Sequence, residues 1–252
     1  MASLLPVPGL PLVQPGDNVP GLIVQAMHQA GMRFESNDVL VIAQKIVSKA
    51  EGRLVDLDSV EPTPEARALA SQSDKDPRLV ELILRESREV LRVRPGVLIV
   101  EDLRGWVCAN AGIDRSNIDQ IVGKELVLLL PQDPDASCRN IAIELEHLTG
   151  ARVPLVMNDS HGRAWREGTA GIAIGATGIQ SVWDRRGDHD LTGYTLQNTV
   201  IGLADELAAA ASLVMGQADE GLPAVIVRGL TLPSGNGTSR DLQRPRERDL
   251  FR

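Results

Sequence analysis

Apolar positions along this chain alternate between helical spacing and short unbroken runs, and that alternation predicts a mixed α/β, or α+β, architecture. Val19, Ile23, Ala26 and Met27 recur at helical spacing over residues 19–30, with Gly31 placed to end the helix. Asp38-Val39-Leu40-Val41-Ile42-Ala43 is a continuous apolar run, which predicts a buried strand, and polar segments at Gln44-Lys45 and Ser48–Arg53 follow it. Residues 63–93 predict two helices, because Thr63-Pro64 and Asp76-Pro77 each pair an N-cap side chain with proline at the first helical position. Val97–Val100 and Gly105–Ala109 predict a hairpin leading toward Asp114, and Leu126–Leu130 is an apolar run ending at Pro131. Ala136–Leu148 is amphipathic, with Gly150 just past its end. Val153–Met157 predicts a short strand feeding Asp159, and Gly171–Gly175 a second. The stripe Val200, Leu203, Ala204, Leu207, Ala208, Ala211 and Val214 predicts the longest helix, from about residue 196 to Met215 and ended by Gly216. A polar loop, 217–221, then leads to a strand over Ala224–Val227.

The two ends read differently. Residues 7–17 carry prolines and glycines that preclude a helix, so an extended loop is expected. From Pro233 the chain is polar, and part of this tail is expected to be mobile. The expected organisation is one catalytic unit over residues 1–232, built as a single body or two interleaved subdomains, followed by the tail 233–252.

Composition narrows the classes. With 252 residues the chain can bury a sizeable core, and at 2% aromatics that core must be built from Val, Leu, Ile and Ala. A net charge of −8 argues against a nucleic-acid-binding surface while leaving room for a local basic pocket. Cys108 and Cys138 show no Cys-x-x-Cys spacing, which favours two thiols in a reducing compartment. The N-terminus lacks the pattern of a secretion signal, and no apolar stretch reaches the roughly 20 residues of a membrane span, so a cytoplasmic, membrane-free protein is expected.

The candidate chemistry lies in two stretches, Asn110-Ala111-Gly112-Ile113-Asp114-Arg115-Ser116-Asn117 and residues 158–168, which open Asn158-Asp159-Ser160-His161-Gly162-Arg163. Each aspartate follows an apolar run and is expected to project from a strand end into a loop. Hard divalent cations take oxygen ligands and need only one or two carboxylates beside phosphate oxygens, so Asp114 and Asp159 are candidate metal ligands, with the Ser160 hydroxyl as a neutral donor. Aspartate also caps turns, and that reading stands beside the first. Asn117, Arg163 and Arg166 tip the balance toward function. Lys49, just after a buried strand, is either a phosphate partner or a solvated surface charge. Gly162, Gly168, Gly171, Gly175 and Gly178 suit either close approach to a ligand or tight turns around a short strand. Neither phosphate-binding glycine fingerprint is present, no Gly-x-Ser-x-Gly occurs, and the four histidines lack metal-ligand spacing. Asp205 and Glu206 are expected on the polar face of the long helix.

Taken in order, these stretches resemble the coenzyme F-420 gamma-glutamyl ligase family. The matching pieces are Val7–Leu12, the run from Asp38 through Lys49 to Arg53, Asn110–Asn117, Asp159–Arg163, Gly171–Gly175, Met215-Gly216-Gln217 and Pro223–Gly229. The resemblance implies an unusual α/β fold, a homodimer, and GTP-dependent addition of L-glutamate to a deazaflavin lactyl-phosphate acceptor, with no fused flavin-binding domain here. It implies two divalent cations, Mg²⁺ or Mn²⁺, and a response to K⁺. By position, Asp114 and Asp159 would hold the first cation, and Ser160 and Gln217 the second. Gly9, Leu10, Pro11, Leu12, Gln44, Lys45, Lys49 and Asn117 would contact GTP, together with Met215, Gly216, Gln217, Ala218, Asp219, Glu220, Gly221 and Leu222. Asp114, Asp159 and Lys49 would carry the chemistry, and Arg53, Arg163 and Arg166 would meet anionic substrates. Ser160 stands where the family often has Thr, and His161 where Asn is common. A ligase of the same build for another carboxylate acceptor, or a non-catalytic nucleotide- and metal-binding domain, would fit the same residues.

Overall fold

In the computed structural model, which describes residues 1–118 and 122–250, the elements follow the hydrophobic pattern closely at first. After β1 (Ser3–Pro6), helix α1 (Val19–Gln29) starts where the Asn18 side chain accepts the Gly21 N–H, and Gly31 follows it in a left-handed conformation. Strand β2 (Val39–Ala43) runs without a turn into α2 (Gln44–Ala50), a helix where only polar residues had been noted. The short β3 (Leu54–Asp56) leads to α3 (Pro64–Ser73) and α4 (Pro77–Arg85), capped by Thr63 and Asp76 as predicted. Strands β4 (Ser87–Arg94), β5 (Val97–Asp102), β6 (Val107–Ala109) and β7 (Leu126–Leu128) follow, then α5 (Pro134–Thr149) with Gly150 as its left-handed cap. The rest comprises β8 (Leu155–Arg163), β9 (Arg166–Thr177), β10 (Trp183–Asp184), β11 (Val200–Ile201), α6 (Leu203–Met215) and β12 (Ala224–Arg228).

Five strands form the central sheet in the order β1-β12-β2-β8-β9, antiparallel except for the parallel pair β2 and β8. Alternation of side chains across it separates two cores. Leu40, Ile42, Leu155, Met157 and Ile226 pack with α1 and α5 on one face, while Val39, Val41, Val156, Val225 and Val227 pack under α6 on the other. Residues between β2 and β8 build a third core from α3, α4 and the β4-β5-β6 sheet, including Leu57, Val80, Ile83, Leu98 and Val100. The fold is therefore a mixed α/β one with flanking helices.

Three expectations need correction. Residues 87–93 are strand, not helix; register shifts after Ser87 and Val90 break the two-residue alternation, so the sequence hid β4. The helix expected from residue 196 starts at Leu203, because Val200 and Ile201 pair with Trp183 and Asp184, and the sixteen-residue α5 exceeds the thirteen-residue α6. Asp159 lies inside β8, paired with Ile172, rather than in a loop beyond it. Within the tail, residues 237–239 pack onto the body: the Ser239 N–H and hydroxyl donate to the buried Asp135 carboxylate, each at 2.9 Å, and Gly237 N–H to Ile179 O at 2.8 Å. Its last two residues lie outside the described ones.

The glycines of β9 serve close packing. A Cβ on Gly171 would stand 2.7 Å from Ala208 O, and one on Gly175 2.6 Å from Pro134 O, so α6 and α5 both rest directly on strand backbone. Gly175→Ala forces α5 off the sheet and is expected to lower the unfolding free energy by about 1–3 kcal/mol, read from the midpoint of urea unfolding.

Candidate functional site

Three distant parts of the chain meet at the carboxyl end of β2. Gln44, Lys45 and Lys49 come from α2, directly after that strand; Asp159 and Ser160 come from β8, its parallel neighbour; and the loop after α6 closes the third side. Together with Leu10, Pro11 and Leu12 they line a cavity of about 450 Å³. Asn117 and every residue from Met215 through Leu222 also line it. Gly9 and Asp114 are not lining residues: Gly9 directly precedes Leu10, and Asp114 meets the lining through Gln44 and Lys45.

Asp114 is positioned by strained backbone. Asn110, Ala111 and Gly112 are all left-handed, the turn being held by Leu98 N–H donating to Asn110 Oδ1 at 3.1 Å. Asp114 then exchanges backbone hydrogen bonds of 3.0 and 2.9 Å with Leu128. Its carboxylate accepts from Gln44 Nε2 at 2.8 Å and lies 3.5 Å from Lys45 Nζ, which also donates to Ser116 Oγ at 2.8 Å. Asn117, left-handed as well, ties this segment to the far loop by donating from Nδ2 to Ala218 O at 2.9 Å. Ser160 donates its hydroxyl to Gln217 Oε1, and Gln217 Nε2 donates to Ser212 Oγ at 2.9 Å. Among the described residues, no hydrogen bond or ion pair engages the Lys49 ammonium.

The two carboxylates disfavour one another's charge. Burial, and then the Asp114 charge, push the Asp159 carboxyl up to about 7; burial also raises Asp114, against the pull of Lys45 and Gln44. Lys45 offers one positive charge to two carboxylates, which leaves the pair short of positive charge. Asp114, Asp159, the Ser160 hydroxyl and the Gln217 carboxamide are all hard oxygen donors, and among the described residues no cluster of three or more His, Cys, Asp or Glu is assembled. That set fits a Mg²⁺-like ion, which keeps waters and phosphate oxygens in its remaining positions.

The sign of the pH effect follows. A carboxyl whose folded pKa is raised binds its proton more tightly when folded, so Asp159 makes the cation-free protein less stable as pH rises from about 4 to about 7. A cation that engages the ionised pair offsets that loss. Mn²⁺ is therefore expected to raise Tm more at about pH 8 than at about pH 5, read by differential scanning fluorimetry.

Other sequence candidates are placed elsewhere. Arg53 does not face the cavity: Nε donates to Leu130 O and Nη2 to Glu86, each at 2.8 Å. Arg163 and Arg166 flank the exposed tip of the β8–β9 hairpin, where Arg163 donates to Glu167 O at 3.1 Å. The His161 Nε2 lies 3.3 Å from Val107 O, and burial lowers its pKa. Asp205 is not on a solvated face, since Oδ1 accepts from Ala173 N–H at 2.9 Å. The buried Cys108 and Cys138 are both free thiols. Sequence reasoning missed Asn158 as a lining residue; its buried carboxamide donates weakly to Met215 Sδ at 3.6 Å, and Oδ1 has no partner.

Comparison with known proteins decides the family. Residues 9–229 match the family described as F420-0:Gamma-glutamyl ligase, a span that contains the whole cavity lining. The chain belongs to that family. It is 48% identical over 254 residues to a Coenzyme F420:L-glutamate ligase of Methanothermobacter thermautotrophicus, covering 99% of this chain and 98% of that protein. Proteins of the same name are 47% identical over 219 residues in Methanocaldococcus jannaschii (87% of this chain, 86% of that one) and 41% over 250 in Archaeoglobus fulgidus (99% and 96%). In this gamma-glutamyl ligase family member, no helix among the described residues is long and apolar enough to cross a membrane.

Proposed function

We propose that this chain is a coenzyme F-420 gamma-glutamyl ligase that consumes GTP, adding L-glutamate, and then further γ-linked glutamates, to the deazaflavin lactyl-phosphate acceptor. The observation that carries the reading is the convergence of Asp114, Asp159, Ser160 and Gln217 beside one cavity that Lys49 also lines. Family membership and the names of the relatives supply the reaction.

A carboxylate does not condense with an amine in water unless it is activated. In this proposal the γ-phosphoryl of GTP passes to the acceptor carboxylate with loss of GDP, and the glutamate α-amine displaces phosphate from the resulting acyl phosphate. Bound divalent cations would supply charge neutralisation on the phosphoryl oxygens. Asp114 and Asp159 would hold one, and Ser160 and Gln217 would contribute to the second. Lys49 would meet a phosphate oxygen, Lys45 is held against Asp114 and Ser116, and the loop 215–222 would cover the nucleotide and limit water. Leu12, 76% exposed at the cavity rim, offers an apolar surface for a flat base. K⁺ belongs to the same reading as a further charge-neutralising ion.

Lys49→Ala is expected to raise the Kd for GTP about 10- to 100-fold in isothermal titration, the loss of one charged hydrogen bond to phosphate, without lowering Tm. An unchanged Kd would remove Lys49 from the nucleotide site. The homodimer is part of the proposal too; Trp165, 87% exposed at the tip of the β8–β9 hairpin, and exposed Leu191 and Tyr194 between β10 and β11 are apolar surfaces that a second copy would cover.

A further inference from the structure

Gln44 makes contacts that a nucleotide-binding role does not explain. It is 2% exposed, its Nε2 donates to Asp114 Oδ2 at 2.8 Å, and it lies beside Asp159 in the cavity lining, where its amide favours the charged form of that carboxyl. One amide group is therefore bonded to one carboxylate and adjacent to a second, whose charge the first disfavours. A glutamine side chain has three flexible torsions, and nothing in Gln44 itself holds it in that place.

The holding group lies one turn along α2. Ser48, fully buried, donates its hydroxyl to Gln44 Oε1 at 2.8 Å. A serine inside a helix commonly turns its hydroxyl back to the carbonyl four residues earlier. Here it reaches the side chain of that residue instead. An ionised Asp114 carboxylate only accepts, so it selects the amide hydrogens of Gln44; Ser48 anchors the opposite end, where an unmatched buried oxygen would otherwise drive the side chain to another rotamer.

We infer that Ser48 is a positioning residue of the candidate active site: through Gln44 it holds the Asp114 carboxylate beside Asp159 in the arrangement that receives a divalent cation. The relay Ser48–Gln44–Asp114 runs through buried residues of α2, and it ends beside the cavity that Gln44 and Asp159 line. Outer partners of this kind orient metal ligands, and their loss weakens metal affinity about 10- to 100-fold. This inference rests on the proposed cation-binding role of the two aspartates.

The test is Mn²⁺ binding to the full chain without substrates, followed by electron paramagnetic resonance of free Mn²⁺, with Tm measured alongside. Ser48→Ala is expected to raise the Mn²⁺ Kd about tenfold in folded protein. Ser48→Cys, close in volume but a weak donor, is expected to do the same if Ser48→Ala folds poorly. Ser48→Thr retains the hydroxyl and is expected to bind within about threefold of the wild type. A wild-type Kd in both Ser48→Ala and Ser48→Cys overturns the inference and leaves Ser48 a packing residue, even if Tm falls. Absence of Mn²⁺ binding by the wild type overturns the cation reading itself, and this inference with it.

Discussion

Asp159→Asn is expected to abolish glutamate addition while leaving a folded protein. The substitution keeps the shape of the side chain, so β8 and its pairing with β9 persist, and it removes a charge whose ionisation the fold disfavours. Tm without a cation is therefore expected to hold or rise at neutral pH. The loss falls on the reaction. If Asp159 helps hold the cation that neutralises the transferring phosphoryl group, its removal forfeits several kcal/mol of transition-state stabilisation, about three orders of magnitude or more in kcat. The gain in Tm on adding Mn²⁺ is expected to vanish in the same variant. An Asp159→Asn protein that ligates glutamate at the wild-type rate refutes the metal assignment.

Arg104→Ala is expected to be the most destabilising single change outside the hydrophobic cores. Asp102 is fully buried and Arg104 nearly so; Arg104 Nη1 meets Asp102 at 3.0 Å and Nη2 meets Glu86 at 2.8 Å, while Arg53 binds the other Glu86 oxygen at 2.8 Å. Arg104 Nε and Arg53 Nε also satisfy Pro131 O and Leu130 O, each at 2.8 Å, which ties the β5–β6 hairpin to the chain entering α5. Burial already raises the Asp102 carboxyl against the pull of Arg104, so removing the arginine strands it. Breaking such a network from one side costs about 3–5 kcal/mol, or roughly 10 °C in Tm for a chain of this size, to be read by calorimetry. Activity per folded molecule is expected to change far less than in Asp159→Asn.

How much of this was readable beforehand depended on the range of each interaction. Local signals carried well: Thr63-Pro64 and Asp76-Pro77 start α3 and α4, Gly150 ends α5, and the apolar run Val39–Ala43 is β2. Non-local ones did not. β4 is strand because β5 pairs with it, and its bulges erase the period that would have announced it. Asp159 continues in β8 because β9 supplies partners as far as Arg166, which no residue near Asp159 encodes. At the site, the residues carried over from the family resemblance cover most of the cavity lining, yet the contacts that organise it join Gln44 to Asp114, Asn117 to Ala218 and Ser160 to Gln217, each across 57 or more residues. Arg53 shows the converse. A cation near a candidate site suggested an anionic substrate, and the fold instead committed it to Glu86, a partner that sequence proximity does not reveal.

The central claim is that the cavity beside Asp114 and Asp159 activates a carboxylate with GTP for attack by glutamate. The most direct measurement is mass spectrometry of the deazaflavin acceptor after incubation with the protein, GTP, Mn²⁺ and L-glutamate. The account predicts products heavier by successive single glutamyl residues, with GDP and phosphate released in equal amount, and none when GTP or Mn²⁺ is withheld. An unchanged acceptor under the complete mixture, or glutamyl addition that proceeds equally without GTP, would contradict it.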